Sequence, residues 1–136
     1  MSRSAIDFPE TIPENPDKNN FYVRLNLLKK QGRFSKAEYL KSKSNDYSKL
    51  KKQLNKYNKY KFLEMRQLGK IKDVTKSAEK IEQYIDRQKL SEFPQDMIDD
   101  VIWQLKYSQK GRLFGYVEGN VFYAILIDMN HEMFPQ

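Results

Sequence analysis

The chain has 136 residues, a net charge of +7, no cysteine, one histidine and 18 aromatic residues, nine of them Tyr, eight Phe and one Trp. That length suits a single domain with a real core. The absence of cysteine excludes disulfides, thiolate metal sites and a thiol nucleophile, and suits a reducing, cytoplasmic setting.

One histidine leaves zinc without a ligand set. The first ten residues, Met-Ser-Arg-Ser-Ala-Ile-Asp-Phe-Pro-Glu, hold no apolar run of signal-peptide length. The longest apolar stretch, Val121 to Ile127, is far shorter than the roughly 20 residues a spanning helix needs. These features predict a soluble protein that is neither exported by that route nor embedded in a membrane.

The charge is unevenly distributed. Residues 29–80 carry 17 basic against 5 acidic side chains, a net +12, whereas residues 1–28 sum to −1 and residues 81–136 to −4. A basic block of this density attracts polyanions through counterion release, or an acidic protein partner through complementary potential. A solvated lysine face would produce the same count.

In chain order, Pro9, Pro13 and Pro16 among Asp, Glu and Asn predict an extended N-terminal arm over residues 1–20, followed by one domain over 21–136. Phe21 to Leu27 alternates apolar with polar or amphipathic residues and reads as a strand. Phe34, Ala37, Tyr39 and Leu40 suggest a short helix. The Ser42 to Asp46 region offers N-caps for a longer one, with Tyr47, Leu50, Leu54, Tyr57, Phe62, Met65 and Leu68 as its apolar stripe and Gly69 as its terminator. Lys49, Lys52, Lys56 and Lys59 form its opposite face. Asp73 or Thr75 caps a further helix with Ala78, Ile81, Tyr84 and Ile85 buried, and a helical piece is expected from Pro94 to Asp100.

The period then changes from 3.6 to 2. Trp103, Leu105 and Tyr107 alternate with Gln104 and Lys106, Ser108 to Gly111 makes a turn, and Leu113 to Val117 gives a second strand. Glu118-Gly119-Asn120 is a hairpin signal, and Val121 to Ile127 reads as a strand buried on both faces and central in its sheet. The fold class is α+β: a lysine-rich helical body with a small antiparallel sheet that includes a C-terminal β-hairpin.

Hairpin register brings Arg112 opposite residues 125–127 and hence near Asp128, with His131 three residues further on. Two readings of this cluster stand side by side. Arg112 and Asp128 serve as a clasp at the hairpin base. Alternatively, His131 acts as general acid or base, Asp128 fixes its tautomer, and Arg112 with Lys106 binds a phosphate. That set suits metal-independent RNA cleavage, with no cofactor. Gly111 to Gly115 lacks the spacing of a phosphate loop. Asp96, Asp99 and Asp100 read as solvated acids and not as Mg²⁺ ligands. Tyr39, Tyr47, Tyr57 and Tyr60 interleave with lysines as base-stacking residues do, although Tyr47 and Tyr57 also fit the core stripe.

The run Trp103-Gln-Leu105, Gly111-Arg112-Leu-Phe-Gly115-Tyr116, Phe122-Tyr123 and Asp128-Met-Asn130-His131-Glu-Met-Phe134 resembles the C-terminal signature of small bacterial proteins of mobile-element and phage-defence neighbourhoods. The resemblance spans residues 103–134. It implies an α+β body and a role near toxin–antitoxin, abortive-infection or phage-related systems, similar in outline to ribonuclease toxins of the RelE/ParE type. Arg112, Asp128, Asn130 and His131 are the positions it carries over, and the lysine block lies outside it.

Two functions follow as expectations. One is a nucleic-acid-directed protein of such a system that binds or cleaves RNA, with Arg112, Asp128 and His131 catalytic and Lys49, Lys52, Lys56, Lys59 and Lys106 binding. The other is a non-enzymatic phage or mobile-element inhibitor or adaptor whose basic face docks on an acidic protein, such as an antitoxin.

Overall fold

A computed structural model describes residues 20–42, 45–85 and 101–135. The expected arm, up to residue 19, and the helical piece from Pro94 to Asp100 lie outside the described residues.

The fold is α+β, with a five-stranded mixed sheet in the order β1-β5-β4-β3-β2. The strands are β1 (Tyr22–Arg24), β2 (Ile71–Asp73), β3 (Trp103–Lys106), β4 (Arg112–Glu118) and β5 (Val121–Asp128). Among the described residues four short α-helices accompany them: α1 (Lys36–Lys41), α2 (Tyr47–Asn55), α3 (Phe62–Gln67) and α4 (Ala78–Glu82). Strand β5 is interior as its apolar run predicts, lying between antiparallel β4 and parallel β1. Among the described residues no helix is long and apolar enough to cross a membrane.

Each sheet face has its own core. Leu105, Leu113, Phe122, Ala124 and Ile127 meet Tyr39, Leu50, Leu54 and Met65 from α1, α2 and α3. Phe114, Tyr116, Ile125 and Leu126 face the other way, onto Phe34, Ile81 and Met133. Because both faces are covered, Gln104 is buried, against the half-exposed strand its alternation suggested.

The long helix expected from Tyr47 to Leu68 is two helices. A 3-10 turn over Lys56–Lys59 follows α2, and the chain is extended at Tyr60 before α3 begins. Asn55 and Asn58 favour local side-chain bonds over helix interior, and Asn58 Nδ2 donates to Asn55 Oδ1. The break has tertiary partners. Phe21 N–H donates to the Tyr60 carbonyl at 2.7 Å, and the Tyr57 hydroxyl donates to the Lys106 carbonyl. It also changes the helical phase, so Met65 is buried whereas Leu63 and Leu68 are exposed. Gly69 does end α3, with Gly69 N–H on Arg66 O and Lys70 N–H on Met65 O, the paired bonds of a Schellman motif. The helix starts follow their caps: Ser35 Oγ accepts from Glu38 N–H in α1, and Asp46 Oδ1 from Lys49 N–H in α2.

A bulge fixes the register of the site. The hairpin begins with Glu118 opposite Val121, and an unbroken ladder would set Arg112 opposite Ile127. The ladder shifts between Phe114 and Gly115, Ile125 is the additional residue, and Arg112 faces Asp128 instead. The Ile125 carbonyl accepts from Lys29 N–H at 2.8 Å. A Cβ on Gly115 would lie 1.9 Å from the Tyr123 carbonyl oxygen, so the bulge demands glycine there.

Candidate polyanion-binding surface

The site grows out of the β3–β4 turn. Tyr107 N–H donates to the Gly111 carbonyl, and Gly111 N–H donates to Ser108 Oγ at 2.8 Å. The Tyr107 ring closes over Gly111, where a Cβ would approach it to 2.3 Å. Arg112 locks the turn from within, its Nη1 donating to the carbonyls of Ser108, Gln109 and Gly111 at 3.1, 3.2 and 2.9 Å. Burial pulls the Arg112 pKa down, while the opposing pulls of Asp128, Tyr57 and Tyr107 limit the shift.

Asp128 organises the neighbouring loop in the same manner. It is 1% exposed, and its two carboxylate oxygens accept the N–H groups of Glu132 at 2.9 Å and Met133 at 2.8 Å. Arg112 and Asp128 therefore each hold a loop at one end of the sheet.

His131 sits in the loop that Asp128 holds. Its backbone is left-handed, with φ of 58°, and its Nδ1 is buried with no hydrogen-bond partner. Asp128 does not bond it, so the structure contains no carboxylate that fixes its tautomer among the described residues. With Gln109, Lys110, Arg112, Asn130 and Pro135, His131 lines a depression of about 360 Å³.

Two further depressions adjoin this one. The first, about 580 Å³, is lined by Lys41, Lys49, Gln53, Tyr107, Ser108 and Asn130 among others, with Glu38 its one acid. The second, about 400 Å³, carries Lys56, Lys59 and Lys70 beside Tyr57, Tyr60, Tyr107 and Gln109. Asn130 belongs to the histidine depression and the first, Gln109 to the histidine depression and the second, and Gln53, Tyr107 and Ser108 to the first and second. The three depressions share these walls around the β3–β4 turn and together are lined by six lysines and Arg112.

Tyr39, Tyr57 and Tyr107 hold their phenolic protons more tightly than free tyrosine does. Burial pushes Tyr39 up to about 12, with the Asp46 charge adding to it, and burial likewise raises Tyr57 and Tyr107. Lys59 Nζ lies 5.2 Å from the centre of the Tyr60 ring, a cation–π contact at the rim.

The expected binding residues divide. Lys49, Lys56 and Lys59 line the first and second depressions. Lys52 lies with Ser48, Lys51 and Asn55 in a further shallow groove along α2, which shares Lys56 with the second depression. Lys106 lines none of the three depressions. It is half-buried next to Arg112 in the ladder, its N–H donates to the Lys70 carbonyl, and its own carbonyl takes the Tyr57 hydroxyl. Lys41, Lys70 and Lys110 were missed. Lys70 reaches the site because β2 pairs with β3, and Ile71–Asp73 has no alternation long enough to announce a strand. Lys110 had a local signal, being a cation inside the turn Ser108 to Gly111. Asp96, Asp99 and Asp100 lie outside the described residues.

Comparisons of the chain with family profiles, curated proteins and solved structures each returned no match.

Proposed function

We propose that this is a nucleic-acid-directed protein that binds RNA along the depressions around the β3–β4 turn, in a toxin–antitoxin, abortive-infection or phage-related setting. The observation that carries the reading is the ring of cations contributed by separate elements: Lys41 and Lys49 on one side, Lys56, Lys59 and Lys70 on another, and Lys110 with Arg112 on the third. Cations converging on a concavity suit a flexible polyanion that can turn its phosphates towards each of them. Tyr60 offers a ring face for a base. Gln53, Ser108, Gln109 and Asn130 offer donors and acceptors to 2′-hydroxyls. The setting draws its support from the C-terminal resemblance alone.

Binding is preferred to cleavage. Asp128 gives both carboxylate oxygens to backbone N–H groups, which leaves His131 without the carboxylate partner that the catalytic reading assigned to it.

The test is fluorescence anisotropy with labelled single-stranded RNA, comparing a Lys49→Glu, Lys56→Glu, Lys59→Glu variant with Lys51→Glu, Lys52→Glu. The first should weaken binding by about 10-fold or more and the second by less than about threefold. Equal loss in both, or RNA binding by neither variant nor parent, would sink the proposal. An acidic protein docking on the outer face of α2 predicts the reverse order.

A further inference from the structure

The depression that contains His131 differs from the two lysine-lined ones in having a buried cation in its wall. Arg112 is 7% exposed, and of its guanidinium only Nη1 is engaged, by the three turn carbonyls. Nη2 and Nε have no acceptor among the described residues. A guanidinium anchored at one nitrogen and uncommitted at the others is a preorganised fork for a tetrahedral anion, because the side-chain entropy of ordering it has already been met by the turn. Lys110 adds a second cation at the rim, and Asn130 and Gln109 add side-chain amide donors.

The nearby acids carry other bonds, and of them Asp128 also acts on Arg112 through its charge. Asp128 is buried, with both oxygens accepting backbone N–H groups, and Glu132 is paired with Arg33 at 3.2 Å. The remaining wall is His131, which combines a left-handed backbone with a buried, unpartnered Nδ1. Both features cost stability, and such costs concentrate where a ligand or a function retains them.

We propose that this depression is a seat for one terminal phosphoryl group, the phosphomonoester end of an RNA strand whose body lies on the adjoining lysines. The inference deepens the RNA reading and rests on it for the identity of the strand. The seat itself rests on Arg112, Lys110 and His131. A dianionic end group matches the two cations, and a volume of about 360 Å³ admits the phosphate with part of its nucleotide. The shared walls at Asn130 and Gln109 let the strand leave towards either lysine group.

The chain has a single histidine, so its ring proton signals form one resolved reporter in the wall of the seat. The experiment is a proton NMR titration of the full chain at fixed pH with inorganic phosphate, and with sodium chloride at matched ionic strength as the control. Phosphate should shift the His131 signals to saturation at about millimolar concentration, while chloride leaves them in place. Lys110→Ser, at an exposed position outside the fold's buried bonds, should weaken that saturation by about fivefold. Arg112→Lys tests the fork directly, with far-UV circular dichroism as the check that the hairpin is intact.

A second arm measures RNA affinity with three strands of one sequence, bearing a 5′-phosphate, a 3′-phosphate or neither. One phosphorylated end should bind about fivefold tighter than the unphosphorylated strand, and Lys110→Ser should erase that preference. Unmoved His131 signals, or equal shifts with chloride, overturn the seat whatever the protein does with RNA. Equal affinity for all three strands overturns its assignment to a strand end. Saturable phosphate shifts together with no RNA binding would instead retain the seat and remove the RNA reading.

Discussion

Arg112 and Asp128 are direct partners across the β4–β5 ladder, yet each directs its charge to the backbone beside it: Arg112 to the carbonyls of the β3–β4 turn, and Asp128 to the N–H groups of Glu132 and Met133. Both loops that border the histidine depression are therefore fixed by buried charges, and the cluster's first role is architectural.

For Asp128 the consequence is a stability effect with a particular chemistry. Asparagine offers one acceptor where the carboxylate uses two, and its amide N–H₂ would confront a backbone donor. Asp128→Asn should lower unfolding free energy by about 1–2 kcal/mol and Asp128→Ala by about 2–4, read from urea denaturation at neutral pH. Wild-type stability in Asp128→Asn would show that the two N–H bonds contribute nothing.

The bulge makes Gly115 intolerant. An added Cβ meets the Tyr123 carbonyl at 1.9 Å, and backbone on an interior strand cannot yield cheaply. Gly115→Ala should destabilise by about 3 kcal/mol or more. Gly119→Asn, in the open hairpin turn at φ of 59°, should stay within about 1 kcal/mol of the parent. The ratio of soluble to aggregated protein and the thermal midpoint report both.

His131 should be a position where stability and function oppose each other. Its left-handed backbone and unpartnered Nδ1 both disfavour histidine. His131→Gly removes both and should raise unfolding free energy by about 0.5–1 kcal/mol while weakening phosphate binding. A variant that is destabilised and still binds would indicate a purely structural histidine.

Alkaline unfolding follows from the buried phenols. A pKa raised on folding means that the fold retains the proton, so this part of the stability is complete below the unfolded tyrosine value near 10 and is lost as pH rises through the folded value. For Tyr39 that window runs from about 10 to about 12. The urea midpoint should hold between pH 7 and about 9.5 and fall steeply above pH 10. Tyr57→Phe removes one such phenol with its bond to the Lys106 carbonyl, and should cost about 1 kcal/mol at neutral pH while flattening the alkaline limb.

The sequence revealed those parts of the fold that depend on local chemistry. Strand β5 was legible as a seven-residue apolar run, the hairpin turn as Glu118-Gly119-Asn120, and the start of α2 in the capping residues Ser42 to Asp46. What it concealed depends on tertiary partners. The break at Tyr60 is held by Phe21 and Lys106, which are remote in sequence, and strand β2 is too short to show a period. The bulge at Ile125 moved Arg112 by one register position, from Ile127 to Asp128. At the site, the expected lysine stripe identified Lys49 in α2 and Lys56 and Lys59 in the 3-10 turn, but only the folded sheet could bring in Lys70 and Lys110 and leave Lys52 outside the three depressions.

The central claim is that RNA phosphates meet the cations around the β3–β4 turn, and the salt dependence of RNA binding tests it most directly. Plotting log affinity against log salt concentration, the parent should give a slope of magnitude about 3 or more, reduced by about 0.7 for each of Lys49, Lys56 and Lys59 replaced by Ala and unchanged for Lys52→Ala. A parent slope near zero, or one that Lys52→Ala reduces as much as Lys56→Ala, would contradict the account.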